Sequence, residues 1–238
     1  TKEVIKNVEV SQNLDLRNFI VVPDRFSLQA EKLLFQELGI SSTFNIDVIS
    51  ISKLASLVLK LSGNQFKTQS NLEGMLLVYK ILIEHQAEFE SLKDANLSID
   101  LAKEIFLTIS QLKSCEISAD KFLKSANELA NQKLIDIAKI YSFYECSERE
   151  KIDAADLITL FAQQIEESEL IKNSNFYFAE FDSFTSQART IIQLLVKCSR
   201  SVSIATCSTT GENEYIYEQD VLQKVAQICE NLKIKPNI

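Results

Sequence analysis

The pattern of apolar and polar positions divides the chain into two kinds of segment. Four short runs are dense in β-branched, aromatic and other apolar side chains: 18–22 (NFIVV), 44–51 (FNIDVISI), 175–181 (NFYFAEF) and 201–206 (SVSIAT). Runs of this length and make-up predict buried strands. Between the first two, residues 27–38 put Ala30, Leu33, Leu34 and Leu38 on one helical stripe, and Gly39 follows as a left-handed stop. Between the last two, residues 185–197 repeat the arrangement with Ile191, Ile192, Leu194 and Leu195. Two such β-α-β units predict parallel strands in one sheet with helices on its faces.

The stretch 53–171 differs. Apolar residues recur there at helical spacing, as Leu72, Met75, Leu76, Tyr79 and Ile83, then Leu101, Ile105, Phe106, Ile109 and Leu112. Leu134, Ile137, Tyr141 and Tyr144 continue the pattern, and Leu157, Leu160, Phe161 and Ile165 close it. These stripes predict a helical core, and no segment among them reads as a strand. Gly63 lies in a polar stretch, SGNQFKTQSN, that reads as a link. The expected organisation is an α/β domain formed by 1–52 and 172–238, split by an all-helical subdomain at 53–171, with one more helix at 218–232. A start at Thr1 inside a helix-like run reads as a piece of a longer polypeptide.

Composition narrows the class. With 46% hydrophobic residues and only 4 Gly and 2 Pro, the chain can bury a core and is poorly suited to a turn-rich all-β fold. A net charge of −8 excludes gripping nucleic acid through bulk charge, so any such contact is local. The five cysteines, Cys115, Cys146, Cys198, Cys207 and Cys229, lack zinc or redox spacing and read as reduced thiols of a cytoplasmic protein. No apolar run is long enough to span a membrane. Neither a phosphate loop GxxxxGK[ST] nor a GxGxxG, HExxH or GxSxG motif occurs. The single histidine, His85, reads as a solvent-exposed bystander, and the acidic pairs Glu166/Glu167 and Asp153/Asp156 as solvated faces or helix caps.

The strand ends hold the informative residues, because ligands of open parallel sheets gather at the carboxyl edge. Those ends read Pro23-Asp24-Arg25-Phe26-Ser27, Ser50-Ile51-Ser52-Lys53 and Glu180-Phe181-Asp182-Ser183-Phe184-Thr185. Arg25 and Lys53 offer charge, Ser27, Ser50, Ser52, Ser183 and Thr185 offer hydroxyls, and Phe26 and Phe184 offer faces for a base. Helix caps and core aromatics are the alternative roles for the same residues.

At VVPDRFSLQAEKLL (21–34), IDVISISKLASLVL (46–59) and FYFAEFDSFTSQARTIIQLL (176–195) the sequence resembles AddB, one of the two subunits of the AddAB (RexAB) helicase-nuclease. The resemblance implies a P-loop NTPase-like, superfamily 1 helicase-like parallel sheet interrupted by a helical insertion, with the motor function decayed. It implies an AddA-like partner, processing of double-strand DNA ends for recombinational repair, and a module that holds single-stranded DNA and recognises a hotspot sequence. The DNA-binding candidates it implies are Arg25, Phe26, Ser27, Ser50, Ser52, Lys53, Asp182, Ser183, Phe184, Thr185 and Gln187. The parent family's ATP, magnesium and iron-sulfur cluster are expected outside this chain, which is expected to carry no cofactor and no catalytic residue of its own.

Departures from the family pattern bear on mechanism. Active relatives end the third strand in an Asp-Glu pair, and here Ala179 stands at the Asp place with Glu180 as the degenerate nucleotide-site candidate. The family's Gln in the first motif is Arg25, and the Phe and Arg of its second motif are Ile51 and Lys53. A phosphate loop is expected upstream of Thr1. An active superfamily 1 ATPase and a plain helical interaction scaffold are the competing readings.

Overall fold

The computed structural model describes residues 16–39, 45–147, 151–205 and 216–235. The expectations for a helix at Thr1, for Phe44, for Thr206 and for Cys207 lie outside those residues. Two compact units are present: residues 1–65 with 158–238, and residues 66–157.

The first unit is built on a four-stranded sheet. Its strands are β1 (Arg17–Val21), β2 (Ile46–Ile49), β5 (Ser174–Phe178) and β6 (Ser201–Ile204), in the order β2-β1-β5-β6. Every pairing is parallel, with Ile20 opposite Val48 and Tyr177, and Tyr177 opposite Ser203. Helix α1 (Ser27–Leu38) crosses from β1 to β2, and Gly39 ends it at φ 63°, a conformation that glycine adopts without strain. Helix α2 (Ile51–Leu61) follows β2 directly. All five residues of β5 and four of β1 are buried, which is why these strands read as unbroken apolar runs. On one face Ile20, Val22, Ile46, Tyr177 and Ala179 pack with Ala30 and Leu34 of α1, while Phe19 and Phe176 stack at 5.4 Å between centroids.

A row of polar side chains crosses the amino end of the sheet. Asn175 donates to the Asn18 side chain at 3.0 Å, Ser201 donates to Asn175 at 2.9 Å, and Asn18 reaches the Asn45 carbonyl at 3.4 Å. Three strands and the entry to the fourth are thereby tied at one level. A slip of one residue would bury these groups without partners, at about 1–3 kcal/mol each.

The chain next forms β3 (Lys67–Thr68), α3 (Asn71–Glu84), α4 (Ile99–Ser114), α5 (Ala119–Glu128), α6 (Gln132–Cys146) and β4 (Lys151–Ile152). Helix α7 (Ala154–Gln164) and the single turn α8 (Glu169–Lys172) lead into β5, and α9 (Ser186–Cys198) and α10 (Ile216–Leu232) flank β6 in sequence. Within the second unit Val78, Ile81 and Leu82 of α3 pack with Ile105, Phe106 and Ile109 of α4 and Ile140, Tyr141 and Tyr144 of α6. Gly74 permits the close approach of α3 and α4, since a Cβ there would lie 2.3 Å from Phe106 Cε2.

Three expectations are corrected here. The stripe Leu72, Leu76 and Ile83 is exposed, because α3 is apolar on most of its surface and spacing alone does not say which face is covered. A strand pair does occur in the helical stretch, β3 with β4, but two residues are too few to show alternation. His85 is no bystander: it ends α3, stacks on Phe143 at 3.9 Å and meets Glu88 Oε1 at 2.7 Å through Nδ1.

Candidate functional site

Because β2, β1 and β5 are neighbours and parallel, the loops leaving their carboxyl ends emerge side by side. Pairing continues into them: Val22 donates to the Ile49 carbonyl at 3.0 Å and Ala179 to the Val21 carbonyl at 3.0 Å. Side chains then join the three loops. Arg25 Nη2 donates to Asp182 Oδ2 at 2.5 Å, linking the first loop to the third. Ser52 donates to Asp24 Oδ2 at 3.3 Å, linking the second to the first.

Local chemistry explains the shapes of these loops. Pro23 precedes a 3-10 turn, Asp24–Phe26, in which Ser27 donates to the Asp24 carbonyl at 2.7 Å. Ser50 caps α2, its hydroxyl accepting from the Lys53 amide at 3.4 Å and lying 3.0 Å from Ser52 Oγ. Thr185 caps α9 by accepting from Ala188 at 3.2 Å. Beyond β5, Glu180 is exposed at φ 63°, a left-handed turn that a side chain adopts at a cost.

The candidates fall into two groups. Arg25, Lys53, Asp182, Ser183, Thr185 and Glu180 are exposed, and Phe26, Ser27 and Ser52 are half-buried. Ser50, Phe184 and Gln187 are buried, Gln187 donating to Thr159 at 3.1 Å, so these three support the edge and offer no face to a ligand. Phe26 packs against the core formed by Ile20, Val22, Ala30 and Leu34, and the Arg25 guanidinium lies 4.8 Å over its ring. A second half-buried aromatic of this edge is one that sequence reasoning passed over. Phe181, half-buried, tilts against Phe184 at 5.1 Å and Phe178 at 5.9 Å. Its neighbour Glu180 carries the left-handed turn that ends the strand before Phe181, a signal the residue pattern alone does not contain.

A second polar cluster lies in the helical unit. Lys113, its side chain 7% exposed, receives Asp153 at 2.7 Å, Asp156 at 2.8 Å and Glu145 at 2.9 Å. Burial opposes its charge, but the hydrogen bonds to the three carboxylates outweigh that and hold the ammonium above the usual lysine range. Asp153 also caps α7 by accepting from the Ala155 and Asp156 amides, at 3.0 and 2.9 Å, so Asp153 is a buried cap and Asp156 a half-buried partner of Lys113. Beside it, burial and the charge of Glu145 push the Tyr141 phenol up to about 12. These carboxylates converge on an ammonium, and among the described residues no group of three His, Cys, Asp or Glu side chains is placed to hold a metal ion.

Residues 1–235 match the family model described as ADDB, N-terminal. The chain belongs to the AddB N-terminal family. It is 26% identical over 229 residues to the B subunit of the ATP-dependent helicase/deoxyribonuclease of Oceanobacillus iheyensis, covering 90% of this chain and 20% of that protein. It is 28% identical over 203 residues to the protein of the same name in Clostridium kluyveri, covering 82% of this chain and 18% of that one. The Clostridium botulinum counterpart is 25% identical over 245 residues, covering 97% and 21%. The chain spans about a fifth of the length of these curated relatives.

The residues of this AddB region do not fit a magnesium nucleotide. Ala179, 1% exposed, follows β5 at the place where the resemblance puts a metal-organising Asp, and a methyl group cannot hold a metal-bound water. Among the described residues Cys115, Cys146, Cys198 and Cys229 are free thiols and belong to no group placed to hold a metal. No helix among the described residues is long and apolar enough to cross a membrane.

Proposed function

We propose that this chain is the helicase-like, non-hydrolysing N-terminal module of an AddB-type subunit, and that its sheet edge holds single-stranded DNA during double-strand break processing. The observation that carries the reading is the convergence of the three strand-end loops, joined by Arg25–Asp182 and Ser52–Asp24. Arg25 and Lys53 would meet phosphates, the hydroxyls of Ser27, Ser52, Ser183 and Thr185 would fix the backbone, and half-buried Phe181 or Phe26 would stack a base. Ala179 supports the loss of ATP turnover on this segment, which leaves ATP, magnesium and cluster chemistry to the rest of the complex.

A net charge of −8 argues that the module binds DNA only alongside positive surface elsewhere in its subunit and in an AddA-like partner. A cytoplasmic location and a role in hotspot recognition accompany this reading. The test is binding of a labelled oligodeoxythymidylate to the full-length subunit with its partner. Lys53 is exposed and forms no ion pair among the described residues, so Lys53→Ala should weaken binding and flatten the logarithmic salt slope by about 0.7. Unchanged affinity in both Lys53→Ala and Arg25→Ala would overturn the proposal.

A further inference from the structure

The two cations of the edge are in different electrical states. Lys53 stands in solvent without an ion pair among the described residues, whereas Arg25 is paired with a carboxylate. Its guanidinium is neutralised by Asp182 on the neighbouring loop and backed by the face of Phe26 at 4.8 Å. Both partners of the pair are open to water, with side-chain exposures of 64% and 71%. An exposed pair of this kind is weak, and a second anion can replace the carboxylate without burying a charge.

We propose that Asp182 is an internal competitor for the Arg25 site, occupying the guanidinium until a strand phosphate displaces it. The inference rests on the single-strand reading of the edge and adds to it a built-in threshold. Phe26 holds the guanidinium plane, so exchange swaps one oxyanion for another with little movement of the arginine, and its planar fork suits either. Displacement frees the Asp182 carboxylate, which then gathers a cation of its own. Arg25 therefore contributes less to net counterion release than an unpaired cation such as Lys53 would. Asp182 thus lowers both affinity and salt sensitivity, and lets a strand slide past Arg25 without being held.

The experiment measures binding of a labelled oligodeoxythymidylate to the full-length subunit with its partner, across a salt series. Wild type, Asp182→Asn, Arg25→Ala and the double variant are compared. Both side chains are exposed, so the melting temperature should not move. Asp182→Asn should bind about two- to fivefold tighter at low salt. Its logarithmic salt slope should steepen by up to about 0.7, and both changes should vanish when Arg25 is Ala. If Arg25→Ala weakens binding but Asp182→Asn matches wild type in affinity and slope, the competitor role fails while the interface reading stands. If Asp182→Asn tightens binding equally without Arg25, Asp182 is only a repulsive charge and the competitor role fails again. If neither Arg25 nor Asp182 matters, the competitor role falls together with the Arg25 contact on which it depends.

Discussion

Replacing Lys113 with Met keeps most of the aliphatic stem and removes the charge that three carboxylates share. In the native structure the ammonium sits 2.7–2.9 Å from Asp153, Asp156 and Glu145. Asp153 is the most confined of these, 11% exposed, and Asp156 and Glu145 are 32% and 38% exposed. Without the cation, Asp153 is left buried beside two like charges, and breaking such a pair from one side costs about 3–5 kcal/mol. Asp153→Asn should cost less, about 1.5–3 kcal/mol, because the amide oxygen still caps α7 and Lys113 keeps two partners. The chain contains no Trp, so urea unfolding is best followed by circular dichroism. In the native protein the raised lysine value means its stabilisation is complete below pH 10.5 and is lost only at still higher pH. A Lys113→Met loss below about 1 kcal/mol would refute this account.

Gly74→Ala should destabilise the helical unit despite the better helix former, because overpacking against Phe106 at about 1–3 kcal/mol exceeds a propensity gain of about 1 kcal/mol. A raised melting temperature would contradict it, and Phe106→Leu in the same chain should restore part of the loss. At Glu180, whose φ is 63°, Gly should be neutral or stabilising by up to about 1 kcal/mol, and Val should destabilise. A Val variant as stable as the Gly variant would remove the claim of backbone cost. Hydrogen bonds from Lys151 and from the Ser70 amide and hydroxyl hold the Glu73 carboxyl down at about 2. Its contribution is therefore present above about pH 4.5 and lost as pH falls toward 2, and Glu73→Gln should flatten that acid limb of the stability curve.

The β1-α1-β2 unit is legible in the sequence because burial leaves β1 an unbroken apolar run, β2 is rich in β-branched residues, and Gly39 marks the end of the helix between them. Helices α4 and α6 are legible for the same kind of reason, their large apolar side chains recurring on one face. Helix α5 escapes notice because ADKFLKSANE is mostly polar and buries only Ala119 and Ala126. The strand 175–181 is read three residues too long at its carboxyl end, since Ala179 and Phe181 look like strand residues while Glu180 makes the turn. At the edge, composition identifies the loops but not the roles. Phe181 and Phe184 are alike in sequence, and only the turn between strand and helix decides which is covered. Asp153 and Asp156 look solvated because their partner Lys113 is 40 residues away from Asp153 and leaves no local trace.

The Asn175–Asn18 hydrogen bond joins positions 157 residues apart, and the β1–β5 pairing it belongs to forms the middle of the sheet. A ribosome adding about 5–20 residues per second needs some 8–30 s to travel that distance. During that interval β1 can pair with β2 on one side, but its other side has no strand to meet. The nascent chain thus carries a buried-type strand with an open edge while the whole 66–157 unit is being made, a state prone to wrong pairing. Inside that unit β3 pairs with β4, Lys67 opposite Lys151, which draws the two ends of the intervening chain together. Birth order gives the helical unit a kinetic task, since it shortens the effective loop that the sheet must close.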